Sequence, residues 1–388
     1  MESNLATARV LAAARTSHLQ KRLAAAPFDV LIATTPESVS YVTGFRSISA
    51  KLFADYPLAA VVSASAVLLV IPAGEVANAI DGGFEPDGLV TFGSFFFAGD
   101  GPASGFSGRN NSFRQAVVAA CKQAGGDDGV LGIESPARVA GCFDDRANAP
   151  VDATEWLLSV RTVKLPAEQE LLRIACNIAE DGIRAGFATA APGVRERDVA
   201  RAVAAAMVAR GGEPRFLVVT SGERSPFSGA IASERELQAG DLLRLDIGCQ
   251  YEGYWSDIAR TAVISGATDK QLSYYEAIRE GLRVEIEHTR AGVRADELFA
   301  TAVDTVRASG IAHYERNHVG HAIGMSVYER PVIGPTATTA LEAGMVLCLE
   351  TPYYELGWGG MMVEDTGLVT DTGFEVWTTL DHDLAILT

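Results

Sequence analysis

Residues 241–264, DLLRLDIGCQYEGYWSDIARTAVI, decide how the second half of this 388-residue chain is read. Two apolar runs flank the turn-forming stretch Gln250-Tyr251-Glu252-Gly253, and the pattern predicts a strand, a turn at Glu252-Gly253 and a returning strand. Each arm carries an acid within its apolar run, Asp246 after LLRL and Asp257 before IART. If the two face each other, the turn is centred between Tyr251 and Glu252, and directly opposed residues have Cβ atoms about 4.5–5.5 Å apart. Two ionised carboxylates at that distance repel strongly. A positive charge is expected between them.

Two more strand-like runs carry an acid in the same way, Glu350 after MVLCL and Glu364 after GGMMV. A buried carboxylate without a partner is costly enough to demand a cation, a proton or a path for water. The chain has six histidines (His18, His288, His313, His318, His321, His382), and three of them fall within HYERNHVGHAIG. His321 stands between Gly320 and Gly324, which lets another backbone approach closely. Four carboxylates and one imidazole form an oxygen-rich set whose charge matches two divalent cations. Such a set favours Mn, Co, Fe or Zn over a soft thiolate-bound metal. A two-metal centre can ionise a bridging water near neutral pH and polarise a carbonyl.

Composition narrows the alternatives. The net charge of −17 argues against a nucleic-acid backbone or an anionic membrane as partner. With 48% hydrophobic and 21% charged residues the chain is globular, not disordered. Its five cysteines (Cys121, Cys142, Cys176, Cys249, Cys348) never form a C-x-x-C pair, which suits a reducing compartment. The opening MESNLATARVLAAARTSHLQKRL reads as an amphipathic helix and not a signal peptide, so a cytoplasmic protein is expected. The uncharged stretch 57–74, PLAAVVSASAVLLVIPAG, is long enough to raise the question of a membrane span. Its bracketing prolines and Ser-Ala-Ser centre point instead to a hairpin of buried strands. The first part of the chain alternates helical and strand-like pieces, whereas from about 160 a long helix precedes locally paired strands. Two domains follow, 1–158 and 159–388, of α/β class, the second with α+β character.

The segments LDIGCQYEGYWSDIART, VGHAIGMSVYERP, LETPYY and MMVEDTGLVT resemble the signature segments of the M24 metallopeptidase family. The spacings agree: eleven residues from Asp246 to Asp257, 29 from His321 to Glu350 and 14 from Glu350 to Glu364. YVTGF, residues 41–45, is similar to the start of the creatinase-type N-terminal domain. The resemblance implies a creatinase-like mixed α/β domain followed by a pita-bread domain that holds two divalent metals, with manganese first and cobalt, zinc or iron as alternatives. It also implies that Asp257 and Glu364 bridge both metals, that Asp246 ligates one, and that His321 and Glu350 ligate the other. Glu350 would shuttle the proton from a metal-bridging hydroxide's parent water to the leaving amine. The implied activity is that of an Xaa-Pro dipeptidase or aminopeptidase, on a short peptide or similar small molecule, in a homodimer.

The sequence departs from that pattern at the auxiliary positions. Gly229, Asn317 and Tyr328 stand where the family has histidines, with His318 one place beyond Asn317, and Met362 stands where it has arginine. Tyr328 is expected to supply a hydroxyl donor in place of imidazole, as a catalytic residue beside Glu350 and His321. His318, Tyr328, Tyr353 and Tyr354 are expected to touch substrate, and Arg260 to orient the carboxylates. The departures leave open a hydrolase or lyase of a small non-peptide metabolite, recognisable by a pocket without a cationic anchor. A non-catalytic binding protein on the same scaffold is the third reading.

Overall fold

The computed structural model describes residues 2–388, with side chains from Val10 onward. The chain divides at Arg161/Thr162 into two compact units.

The first unit opens with the helix Glu2–Leu23 and contains six strands. These are β1 (Val30–Ala33), β2 (Ala59–Val62), β3 (Val67–Pro72), β4 (Leu89–Phe92), β5 (Leu131–Ile133) and β6 (Val151–Asp152), in the order β4-β3-β2-β1-β5-β6. The sheet is mixed, because β2 runs antiparallel to both its neighbours while β4, β5 and β6 join in parallel. The uncharged stretch 57–74 is the β2–β3 hairpin, with Val62 paired to Val67 across the Ser-Ala-Ser turn. No helix among the described residues is long and apolar enough to cross a membrane. One face of the sheet is covered by the helix Phe113–Gln123, whose N-cap Ser112 accepts from Gln115 N and whose Ala116, Val117 and Ala120 join the strand residues in one core.

The second unit is built on a ten-stranded sheet. Its strands are β7 (Glu213–Ser221), β8 (Leu242–Tyr251), β9 (Tyr254–Trp255), β10 (Ile258–Ile264), β11 (Gly320–Ala322), β12 (Glu329–Val332), β13 (Val346–Glu350), β16 (Glu364–Val369), β17 (Phe374–Val376) and β18 (Ala385–Leu387), with β14 (Tyr353–Glu355) and β15 (Gly359–Met361) forming a separate hairpin. The central path runs β12-β11-β13-β16-β10-β8-β7. Four helices, Pro166–Thr189, Glu196–Ala209, Asp269–His288 and Ala295–Ala308, accompany it. Tyr275, Ile278 and Leu282 of the third helix and Leu298, Ala302 and Val306 of the fourth share a buried core with Leu347 and Leu349 of β13.

The β8–β10 hairpin forms with its turn at Glu252-Gly253, as the sequence predicts, and that turn sits one position later than a direct facing of Asp246 and Asp257 would require. Tyr251 pairs with Tyr254, so the turn is Glu252-Gly253, and both residues take positive φ, 49° and 89°. That pair of left-handed residues matches the twist of a two-residue hairpin, and it fixes the ladder. Asp246 therefore lies opposite Ala259 and not Asp257. Since the shift moves the partner by two residues, Asp257 keeps the same face and becomes Asp246's diagonal neighbour.

Candidate metal centre

The register of the sheet assembles the acids. Glu350 pairs directly with Glu364, Glu364 with Ala259, and Ala259 with Asp246. Three of the four carboxylates thus occupy one row across β13, β16, β10 and β8. The next row on that face holds His321 opposite Cys348, Cys348 opposite Thr366, and then Asp257, whose carbonyl accepts from Thr366 Oγ1 at 2.7 Å. Side chains in a strand repeat on one face every second residue, so the two rows project together. The backbone of β11 comes in close beside β13, because a Cβ at Gly320 would stand 2.4 Å from the carbonyl oxygen of Cys348. Donor atoms of Asp257, His321, Cys348 and Glu364 all lie within 4.8 Å of one another.

This arrangement is poorly satisfied by protein groups alone. Asp257 Oδ1 and Glu364 Oε2 are buried and accept no hydrogen bond. Burial pushes Asp246 up to about 7 against the pull of Arg244, with Asp257 and Glu350 adding to the rise. Burial likewise raises Asp257, against the pull of the neighbouring His321 imidazole, and drives Glu364 well above the glutamate range, with Asp257 and Glu350 reinforcing it. Glu350 goes the other way. Burial would raise it, but His318 Nδ1 at 2.9 Å and Arg316 Nη2 at 3.8 Å outweigh that and hold it below its usual value. His321 donates Nδ1–H to its neighbour's carbonyl, Ala322 O, at 3.1 Å, which leaves Nε2 to face Asp257 Oδ2 at 3.6 Å. An imidazole oriented in this way offers a lone pair to a cation. Orphaned carboxylate oxygens, like charges in adjacent strands and an aimed imidazole fit divalent cations well. Cys348 belongs to the cluster in space, but burial keeps its thiol far above the usual range, and its sulfur contacts Thr366 Oγ1 at 3.3 Å.

A cavity of about 440 Å³ opens over the two rows. Asp246, Asp257, Glu350 and Glu364 line it together with Ser228, Gly229, Arg316, His318, Tyr328, Tyr354 and Met362. Residues 170–371 match the profile of Metallopeptidase family M24, and residues 15–163 match the Creatinase/Prolidase N-terminal domain. The chain belongs to metallopeptidase family M24. An Xaa-Pro dipeptidase of Pyrococcus furiosus is 34% identical over 227 residues, covering 58% of this chain and 65% of that protein, so the matched stretch spans just under two thirds of the relative. The uncharacterized peptidase YqhT of Bacillus subtilis is 30% identical over 264 residues, covering 66% of this chain and 75% of that one. Among solved structures, an Xaa-Pro dipeptidase from Bacillus anthracis superposes with a TM-score of 0.81 at 25% identity over 97% of this chain and 100% of its own. Dipeptidase PepE from Mycobacterium ulcerans gives 0.80 at 28% identity, over 98% of each chain. Both domains of the α/β architecture read from the sequence, creatinase-like and pita-bread, are thereby shown.

Several M24 positions that looked depleted in the sequence have neighbours that fill in. Tyr328 lies stacked on the His321 ring, with centroids 3.7 Å apart and planes 20° from parallel; the residue is 51% exposed, and partial burial together with the nearby acids holds its phenol above the usual value. His318, one place beyond Asn317, reaches Glu350. Tyr354 faces the cavity, but Tyr353 does not line it; its hydroxyl lies 2.9 Å from His313 Nε2 and donates to Glu355 Oε2, within an aromatic group formed with Tyr274 and Trp358. Arg260 meets Asp365 at 2.7 Å and the carbonyl of Glu364 at 2.6 Å, so it braces the backbone behind the cluster and not the cluster's own carboxylates.

Two arginines escaped the sequence reading. Arg244 enters from β8, fully buried, in the row that Thr261 shares through its hydrogen bonds to Met362. Its Nη1 donates to Asp246 Oδ2 at 2.9 Å and lies 4.0 Å from Met362 Sδ, while Nε and Nη2 donate to the carbonyls of Ser225 and Phe227. A guanidinium thus stands beside Met362, the position where the family pattern has arginine, but arrives from another strand. The signal was a charged residue within LLRL, two before Asp246 and hence on its face. Groups that orient a metal ligand matter nearly as much as the ligand, so Arg244→Met is expected to weaken Mn(II) binding by about ten- to a hundredfold in a calorimetric titration. Unchanged affinity would show that Asp246 needs no such brace.

Proposed function

We propose that this protein is a dinuclear-metal-dependent peptidase of the Xaa-Pro dipeptidase or aminopeptidase type. The observation that carries the reading is the convergence of Asp246, Asp257, His321, Glu350 and Glu364 on one sheet face, with buried carboxylate oxygens left unpartnered. Asp246, Asp257 and Glu364 would hold the cations from the strand rows, and His321 Nε2 and Glu350 would complete the set. When bound, such a pair lowers the pKa of water and polarises the scissile carbonyl.

The chain's own residues supply the rest. Glu350, held between His318 and Arg316, is placed to take a proton and pass it to the leaving nitrogen. The Tyr328 hydroxyl, neutral and beside His321, is a donor for oxygen charge that develops in the cavity. A non-peptide substrate calls for a rim without a cation, and Arg316 places a guanidinium there. The names of the relatives agree with the peptide reading.

The direct test is an assay of the purified protein on Ala-Pro and Gly-Pro, with and without added Mn(II) or Co(II). Metal-stimulated cleavage of either is expected. If metal-loaded protein leaves the whole X-Pro panel intact yet hydrolyses small amides, the replaced positions Gly229, Asn317, Tyr328 and Met362 have redirected the site.

A further inference from the structure

The peptidase reading leaves open whether the residue after the scissile bond ends the substrate or continues into a longer peptide. The difference is one charge, since in a dipeptide the leaving proline carries a free carboxylate and in a longer peptide it carries an amide. On the peptidase reading the two cations are balanced by the four acids of the cavity, so a leaving carboxylate still needs a positive partner of its own.

The candidate cations can be taken in turn. Met362 is apolar. Arg244 is fully buried, absent from the cavity lining, and its donors are engaged by Asp246 and two loop carbonyls. His318 stands against Glu350. Among the described residues lining the cavity, Arg316 supplies the one guanidinium, and no lysine is present.

Arg316 is also held ready. Its Nε donates to His318 O at 3.4 Å, and the guanidinium lies over the Tyr354 ring at 5.4 Å, so the fork is oriented while its terminal nitrogens remain available. Nη2 forms an ion pair with Glu350 Oε2 at 3.8 Å, but that is beyond hydrogen-bonding distance, so the pair leaves the terminal N–H groups free to bond a ligand. The side chain is 16% exposed, enough for contact from the cavity and little enough for water to weaken it only partly. A planar guanidinium with free terminal N–H groups matches a carboxylate by two parallel hydrogen bonds, which an amide cannot reproduce.

We infer that Arg316 is the substrate-carboxylate anchor of this chain, and that its substrates are X-Pro dipeptides with a free C-terminus and not longer peptides. The inference rests on the peptidase reading of the same site, and it relocates the recognition of the carboxylate to a segment, Tyr314–Val319, away from the position of Met362. Arg316 also lines two neighbouring cavities of about 480 and 570 Å³, so a longer leaving peptide has space nearby, and substrate preference is a real test.

The experiment compares wild type, Arg316→Met and Arg316→Lys on Ala-Pro, Ala-Pro amide and Ala-Pro-Ala with Mn(II). In parallel, Ala-Pro and its amide are titrated calorimetrically into each protein without metal, and circular dichroism verifies the fold. Wild type is expected to favour Ala-Pro over both other substrates by about tenfold or more in kcat/KM, the size expected of one charged hydrogen-bonded contact. Arg316→Met should raise KM for Ala-Pro by a similar factor and bring the acid-to-amide ratio near one, any fall in kcat from the lost charge beside Glu350 being common to the acid and the amide, while Arg316→Lys retains an intermediate preference. Equal turnover of Ala-Pro-Ala by wild type, or an undiminished acid preference in folded Arg316→Met, overturns the assignment. If wild type cleaves no X-Pro substrate, the peptidase reading fails, and the metal-free titration still decides whether Arg316 selects the free acid.

Discussion

Asp257→Asn is expected to reduce kcat/KM on Ala-Pro by about a thousandfold, because on the proposed peptidase reading it removes one of the charges that would hold a catalytic cation and forfeits several kcal/mol of transition-state stabilisation. The substitution preserves shape and changes chemistry. Asp257 Oδ1 is buried with no hydrogen bond, and Oδ2 faces His321 Nε2 at 3.6 Å, so both oxygens are directed at the place a cation would take. Asparagine would present an N–H₂ group there at one of the two positions, and a donor cannot ligate a cation. If Asp257 serves both cations, as the proposed two-metal reading implies, elemental analysis should then show about one metal equivalent fewer per chain. The metal-free variant should melt no lower than metal-free wild type, since a buried carboxylate raised by its surroundings has been replaced by a neutral group. Full metal content and full activity in this variant would remove Asp257 from the centre.

Much of this site was legible because a buried sheet exposes its exceptions. Asp246, Glu350 and Glu364 stand out as acids inside apolar runs, and the strand period puts Asp246 and Asp257 on one face even though the two are diagonal and not directly opposed. Direct opposition fails because the two-residue turn Glu252-Gly253, both residues at positive φ, pairs Tyr251 with Tyr254 and so sets Asp246 against Ala259. The direct pairing of Glu350 with Glu364 was not legible, since nothing in either segment states which strand lies beside it. Arg316 and Arg244 were missed for a related reason. An arginine in a loop or near a strand end reads as a solvated charge until the fold shows what it faces. Tyr353 illustrates the converse, a tyrosine near Glu350 in sequence whose hydroxyl the fold turns toward His313 and Glu355.

Glu285 yields the second large effect, on stability and not on catalysis. It lies on the helix Asp269–His288 at the phase of Tyr275, Ile278 and Leu282, the stripe that packs into the core. The residue is fully buried, and neither carboxylate oxygen has a hydrogen-bond partner. Burial drives its pKa well above the glutamate value, with Glu350 adding to the rise. A side chain in that condition opposes folding, and replacing it by leucine is expected to raise the unfolding free energy by about 1–3 kcal/mol, the cost of a buried polar group left without a hydrogen bond. The sign with pH follows from proton linkage. The folded state keeps the proton on Glu285 to higher pH than the unfolded chain does, so wild-type stability falls as pH rises above the ordinary glutamate value and continues to fall up to the elevated folded value. The advantage of Glu285→Leu should therefore be smaller at pH 4.5 than at pH 8, roughly the lower and upper ends of a practical urea-melt series. Glu285→Gln separates the two contributions, because it removes the titration while keeping a buried polar group, and it should flatten the pH dependence with less gain at low pH. If Glu285→Leu lowers stability equally at both pH values, the carboxylate has a partner in solution, and the core around Tyr314 is organised about it.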